Sequence, residues 1–194
     1  MFESLKTDKI GNLLIYLAEN VDKLYKTKAL KLLYIIDETA IKTYGVPITW
    51  LEYKAWVHGP VAEDIFDNVN NIENSPFKEY ISVEKPSKNN SIIIANKKFD
   101  DGEFSDAEMN LIDTIIKEYG NYSGNKLEEL LHQKDTLWHR TVNTHNLDLL
   151  FSLQNGKSNY VLELATLLDG DKMKQSIYKA AFDALEFHQS LRKN

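Results

Sequence analysis

The sequence predicts an α+β protein that is mainly α-helical: a single domain of about seven helices with a short strand and a β-hairpin. Apolar residues recur every three or four positions over most of the 194 residues, which is the period of an amphipathic helix. Two stretches, around residues 51–57 and 80–99, instead show the alternation and β-branched runs of strands. No internal repeat or low-complexity tract divides the chain, so we expect one core.

Two helices are predicted first, over residues 5–19 and 27–44. Apolar residues at helical spacing indicate the first. In the second, Thr27 is a candidate N-cap, and Gly45 followed by Pro47 gives a stop signal. This helix is apolar on more than one face, so we expect it to be central and packed on two sides.

The stretch Y-K-A-W-V-H-G-P-V, residues 53–61, follows. Its alternation predicts a short strand in which Tyr53, Ala55 and Val57 face the core. We expect Gly59 to end the strand and Pro60 to occupy the first position of the next helix, where a missing N–H costs nothing.

Trp56 would then point to the opposite face of this strand. There it is either covered by another element or exposed as a binding anchor, since tryptophan is frequent among the residues that dominate interfaces. The sequence leaves both readings open. His58 is interpreted as closing the strand and hydrogen-bonding the turn, because no nucleophile or orienting carboxylate is visible beside it.

The remaining elements are marked by caps and turns. Residues 80–99 predict a hairpin with a turn at 86–91. Ser105 and Glu108 predict a capping box for a helix that ends at Gly120, and Ser123 and Asp135 are candidate caps for two shorter helices.

The C-terminal part contains an apolar segment at 147–153, which should pack against the rest of the domain. A helix near 160–168 and a last helix after Asp171 are predicted next. The last helix carries one apolar stripe, formed by Met173, Ile177, Ala180, Ala184 and Leu191.

Composition narrows the classes of function. There is no cysteine, so disulfides and thiolate chemistry are excluded. A net charge of −6 argues against a nucleic-acid-binding surface. Residues 100–135 carry ten acidic residues against three lysines, which indicates either a solvated helix face or an acidic surface for a basic partner. No signal peptide or span of about 20 apolar residues is evident, so we expect a cytoplasmic protein without membrane contact.

Common catalytic and cofactor motifs are not found, and we predict no enzyme activity, cofactor or metal. The nearest candidate for a metal site combines His132, Asp135 and His139. The two histidines are seven positions apart, whereas helical pairs of ligands are usually four apart, so structural or surface roles are favoured for both. Asp37, in the middle of the apolar second helix, needs a partner if it is buried.

Four blocks of sequence resemble one family. They are K-A-L-K-L-L-Y at 28–34, A-W-V-H-G-P-V at 55–61, E-Y-G-N-Y-S-G-N-K-L at 118–127 and L-L-H-Q-K-D-T-L-W at 130–138. Their order and spacing resemble the Panacea domain, the antitoxin domain also found in phage-associated, SocA-like proteins. Residues 1–145 are then the antitoxin domain, and 146–194 a C-terminal helical extension packed on it. The motif residues taken as structural are Lys31, Tyr34, Gly59, Pro60 and Gly120.

The resemblance implies a mainly helical domain with a small β-element. It further implies an antitoxin that neutralises a cognate protein toxin, encoded by an adjacent gene, through direct protein–protein binding. Candidate partner contacts are Trp56, His58, His132 and Trp138. The alternative is a phage-encoded or mobile-element-encoded adaptor that binds a host protein. A metal-dependent hydrolase is the third hypothesis.

Overall fold

A central helix, α2 (Lys26–Tyr44), organises the molecule and has twelve buried residues. The computed structural model describes residues 2–87 and 90–190. Helix α1 (Phe2–Asn20) precedes α2. The prediction of a central second helix is confirmed, and so is its end at Gly45, which has φ +85°. Thr27 as N-cap is wrong: Tyr25 precedes the helix and pairs with Ile92, so a strand contact fixes the start of α2 instead of a side-chain cap.

The β1–β2 hairpin replaces the predicted strand-to-helix corner. Strand β1 (Lys54–Trp56) pairs antiparallel with β2 (Gly59–Val61). Gly59 and Pro60 therefore begin a second strand, and the prediction that Pro60 starts a helix is wrong. Helix α3 (Glu63–Asn70) begins after this strand. Val57 lies in the turn and is 36% exposed, so its predicted core position is also wrong.

A second hairpin is formed by β3 (Ile81–Ser87) and β4 (Asn90–Ala95), as predicted. Residues 88 and 89, in the predicted turn, lie outside the described residues. A one-turn 3₁₀ helix, Ile72–Asn74, precedes this hairpin. Strand β4 packs on α1, and the Ile93 N–H donates to the Leu24 carbonyl, which ties the hairpin to the α1–α2 connection.

Three helices follow: α4 (Asp106–Tyr119), α5 (Gly124–Leu131) and α6 (Leu137–His145). The capping box of Ser105 and Glu108, the end of α4 at Gly120 and the cap at Ser123 are confirmed. Asp135 as a cap is wrong, because Thr136 caps α6.

The C-terminal part begins with α7 (Leu147–Leu153). Residues 156–162 run beside β1 and precede a 3₁₀ helix, Leu164–Leu168, so the α-helix predicted near 160–168 is wrong. Helix α8 (Lys172–Ser190) ends the described chain. The described residues thus form eight α-helices and two two-stranded antiparallel sheets, and the predicted α+β, mainly helical class is confirmed.

Helix α8 does not pack through its predicted apolar stripe. Met173 and Ile177 are 76% and 38% exposed. Tyr178 and Phe182 instead contact the ring of Trp50, at centroid distances of 5.3 and 6.1 Å. Leu191, the last residue of the predicted stripe, lies outside the described residues. Among the helices of residues 2–87 and 90–190, none combines the length and the hydropathy of a membrane-spanning segment.

Candidate partner-binding site

Lys31 connects the central helix to the β1–β2 hairpin. Its side chain is buried, and its ammonium group donates a 3.2 Å hydrogen bond to the carbonyl of Pro60. Gly59 makes room for this contact, because a Cβ at that position would lie 2.9 Å from Lys31 Nζ. Its φ of +101° also favours glycine. The first two sequence blocks therefore meet at one buried ammonium group.

The charge of Lys31 affects its neighbours. Burial lowers the pKa of Lys31 to about 8, although the carboxylate of Glu128 acts in the opposite direction. His132 lies beside the same Cβ position of Gly59, since its Nε2 would be 3.5 Å from a Cβ there. Its pKa is lowered by burial first and by Lys31 and His58 in addition, while Glu128 opposes the shift. These effects favour the neutral imidazole.

Trp138 joins the fourth block to the hairpin. Its indole N–H donates a 2.8 Å hydrogen bond to the carbonyl of Trp56, the last residue of β1. The ring of His132 stacks on Trp138, with centroids 3.8 Å apart and planes 7° from parallel. Both His132 and Trp138 therefore support the hairpin from the side of the core.

His58 is the most exposed of the four candidate contacts. Its side chain is 74% exposed, and its Nδ1 lies 2.9 Å from Oε1 of Glu128 on α5. We expected His58 to bond the turn; it pairs with a helix instead. Sequence reasoning missed Glu128, although a signal existed: Glu128 precedes His132 by four positions, so the two share one face of the helix.

Trp56 is covered by other elements, which is the first of the two readings left open by the sequence. Its side chain is 8% exposed. Phe66 on α3 packs edge-on against its ring at 5.0 Å, and the amino group of Lys157 lies 4.4 Å from the ring centroid. Trp56 therefore acts within the packing of the hairpin in this structure, and its contact with a partner stays a prediction.

The loop that leads into β1 is held by Asp37. This fully buried carboxylate accepts hydrogen bonds from the Thr49 side chain and N–H, the Ile48 N–H and the Tyr53 hydroxyl. Burial raises its pKa, and the same hydrogen bonds act against that rise. The predicted need for a partner is confirmed. Tyr34 packs edge-on against Tyr53 at 5.2 Å and completes this support.

The third block is attached to the same central helix. Lys28 on α2 donates a 3.0 Å hydrogen bond to the carbonyl of Gly120, the residue at which α4 ends. Lys28 and Lys31 lie one helical turn apart, so α2 holds both the α4–α5 connection and the hairpin. All four blocks therefore converge on one region.

The turn of the hairpin is the exposed part of this region. We call Val57 and His58 the hairpin tip. The Val57 N–H donates to the carbonyl of Gly156 at 2.7 Å, which places the tip beside the end of α7. Two leucines of α7, Leu149 and Leu153, are 71% and 74% exposed, so α7 presents apolar surface to solvent.

The metal site considered from the sequence is not assembled. His139 lies beside Asn143, with 3.1 Å between Asn143 Nδ2 and His139 Nε2, while His132 stacks on Trp138. Across residues 2–87 and 90–190, no three side chains of histidine, aspartate, glutamate or cysteine lie close enough together to hold a metal ion.

Comparison with known proteins identifies one family. The model described as "Antitoxin SocA-like, Panacea domain" matches residues 30–139, which is more than half of the chain. The matched region begins in α2, ends in α6 and includes the whole β1–β2 hairpin. No curated protein and no solved structure gives a significant match.

Proposed function

Because the chain belongs to the family of SocA-like antitoxins with a Panacea domain, we propose that it is the antitoxin of a toxin–antitoxin pair. It neutralises a cognate protein toxin, encoded by an adjacent gene in a phage or other mobile element, by direct binding in the cytoplasm. It acts without catalysis, cofactor or nucleic-acid contact. The net charge of −6 supports the absence of nucleic-acid contact, because binding to phosphates needs clustered cationic side chains.

The observation that carries this proposal is that α2 holds all four blocks together, three of them at the β1–β2 hairpin and the third block at the α4–α5 connection. Lys31, His132 and Trp138 each contact the hairpin from the core side. Val57 and His58, in the turn of the hairpin, are exposed. We infer that the buried members of this set hold the tip in one conformation and that the tip contacts the toxin.

A rigid tip is suited to binding because fewer groups must be ordered when the complex forms. The tip alone is too small for a stable interface, which needs about 1,200 Å² of buried surface. The exposed leucines of α7, the helix that ends shortly before Gly156, offer further apolar area. We therefore expect the interface to include both the tip and α7, with Trp56 contributing from beneath.

The direct test is growth of a bacterial host that expresses the adjacent reading frame from an inducible promoter, with and without this protein. We expect the frame to be toxic, the protein to relieve the toxicity, and an affinity-tagged copy to co-purify with the toxin. Absence of toxicity, or rescue without a complex, would contradict neutralisation by direct binding. A complex with a host protein in place of the toxin would favour the adaptor.

Two surface variants locate the interface. Val57→Ser and His58→Ala remove exposed groups of the tip and leave the buried contacts of the hairpin in place. We expect each to weaken the complex about tenfold or more, since a central contact contributes at least about 1.4 kcal/mol. Lys117→Ala, a truncation at an exposed position of α4, is the matched control and should bind normally. Unchanged binding by both tip variants would place the toxin elsewhere.

A further inference from the structure

Strand β4 (Asn90–Ala95) is an edge strand of its two-stranded sheet. After β4, the Asn96 N–H donates to the Tyr80 carbonyl on the side of β3, whereas the Ile93 N–H donates to the Leu24 carbonyl on the opposite side. Backbone groups of successive residues alternate between the two sides of a strand. The N–H of Ala95 and the carbonyls of Ile93 and Ala95 therefore point away from β3.

These three backbone groups form an open part of the β4 edge. Leu24 and Tyr25 pair with the neighbouring part, through the Ile93 N–H and a bridge to Ile92. Within residues 2–87 and 90–190, no hydrogen bond reaches the Ala95 N–H or the outward carbonyls of Ile93 and Ala95. Unpaired N–H and C=O groups along an edge are a template on which another extended chain can pair.

The opposite edge of the sheet is protected against such pairing. Strand β3 contains Glu84, Lys85 and Pro86, and its register with β4 shifts between Glu84 and Ser87. Charges, proline and bulges are devices by which edge strands avoid pairing with another chain. Strand β4, with the sequence N-S-I-I-I-A, has neither a charged residue nor proline. The β4 edge is therefore the one suited to strand addition.

A groove runs along the open edge. It encloses about 570 Å³ between residues 92–98 on one side and, on the other, the C-terminal end of α1 with the α1–α2 connection. Ala18 and Leu24 contribute apolar surface to its wall. In strand addition, backbone hydrogen bonds supply affinity, and contacts with alternate side chains supply specificity. The groove offers both kinds of contact.

The charges at the groove define the chemistry of its occupant. Lys23, Lys97 and Lys98 line it together with one acidic residue, Glu19, and these residues are exposed. The Lys97 ammonium group lies 3.7 Å from the centroid of the Tyr80 ring. In the described part of the chain, none of the three lysines is in an ion pair. In a chain with a net charge of −6, this groove is locally basic and complements an acidic partner.

We propose that the open β4 edge binds an extended, acidic segment of a partner protein, which pairs with β4 as an added strand. The segment donates to the carbonyls of Ile93 and Ala95 and accepts from the Ala95 N–H, while its carboxylates approach the lysines of the groove. The β4 edge of a second copy is a less suitable occupant, because it would bring two sets of these lysines together. The proposal does not depend on toxin binding.

NMR titration of the isotope-labelled full chain with the acidic peptide acetyl-E-V-E-V-E-amide, up to about 2 mM, tests the proposal. We expect saturable shifts of the Ala95 amide signal and a dissociation constant below about 1 mM. The basic peptide acetyl-K-V-K-V-K-amide is the matched control and should bind at least about tenfold more weakly, because the lysines of the groove repel it. Absence of a saturable shift at Ala95, or equal binding of the two peptides, would overturn the proposal.

Removal of one donor distinguishes strand pairing from simple charge attraction. Ala95→Pro removes the N–H that points away from β3, a position at which an edge strand tolerates proline. This variant should bind the acidic peptide at least about tenfold more weakly, whereas Ala95→Ser keeps the N–H and should bind normally. Circular dichroism checks that both variants are folded. Equal binding by two folded variants would contradict strand addition.

Two further measurements complete the test. An acidic peptide methylated at every backbone nitrogen has no donors for the β4 carbonyls and should not bind the wild type, a result that is independent of the folding of Ala95→Pro. Undiminished binding of this peptide would exclude strand pairing. Sedimentation of the chain without peptide tests the other occupant: a dimer that Ala95→Pro abolishes would identify a second copy at the β4 edge and overturn the proposal.

Discussion

Lys31 shows how one residue couples the stability of the fold to pH. Burial lowers its pKa to about 8, whereas the unfolded chain keeps a lysine pKa near 10.4. Between these values the unfolded chain binds more protons than the folded one, so stability rises with pH. The cost of burying the ammonium group is fully present below pH 8 and is relieved as Lys31 loses its proton. The groups that face the Lys31 ammonium group in the folded chain are the Glu128 carboxylate, the His132 imidazole and the carbonyl of Pro60.

The substitution Lys31→Met tests this coupling by removing the titrating group. From about pH 7 to about pH 10, the free energy of unfolding of the wild type should rise relative to the variant by up to about 3 kcal/mol. Urea unfolding at several pH values measures the difference in free energy of unfolding between the wild type and Lys31→Met. Tyr34 and Tyr53 also titrate at high pH, but both proteins contain them, so their effects on stability cancel in this difference. Lys117→Met, at an exposed position, should follow the wild type. A difference between Lys31→Met and wild type that does not change with pH would contradict the assignment.

At the scale of elements, the sequence predicted local features best. The capping box of Ser105 and Glu108 and the cap at Ser123 depend on residues three positions apart, and all were predicted. The β1–β2 hairpin was missed because Pro60 is compatible with both a helix start and a strand edge. The choice depends on distant partners: Lys31 binds the Pro60 carbonyl, and residues 156–162 pair with β1. No local pattern carries that information.

Gly59→Ala tests whether the first residue of β2 must be a glycine. The positive φ alone costs about 1–3 kcal/mol for a residue with a Cβ, and a Cβ here also lies 2.9 Å from Lys31 Nζ. Gly170→Ala is the control, since Gly170 has φ +92° but no heavy atom within 4 Å of its Cβ position. Chemical denaturation should show a greater loss of stability for Gly59→Ala. Equal losses would mean that Lys31 moves aside freely.

At the scale of the whole molecule, the C-terminal part contains a segment that pairs with the β1–β2 hairpin and, after it, helix α8. The N–H groups of Ala55 and Val57 donate to the carbonyls of Tyr160 and Gly156, and the Ser158 hydroxyl donates to Ala55. Residues 156–162 are therefore part of the support of the hairpin. In helix α8, Tyr178 and Phe182 contact the ring of Trp50, and Lys174 donates to the Lys42 carbonyl. The sequence could not predict this division, because it depends on backbone pairing between distant segments.

Two truncations follow from this division. A chain that ends at Gly170 loses α8 and should still fold, with a lower melting temperature, because Trp50 loses its aromatic cover. A chain that ends at His145 also loses residues 156–162, which leaves the N–H groups of Ala55 and Val57 without their protein acceptors. Loss of the acceptor of a buried donor such as the Ala55 N–H costs about 1–3 kcal/mol, a large part of the stability of a typical domain. We therefore expect the shorter chain to unfold cooperatively at a much lower temperature or to be unfolded. Thermal melts by circular dichroism compare the two, and equal stability would show that the hairpin needs no support from residues 156–162.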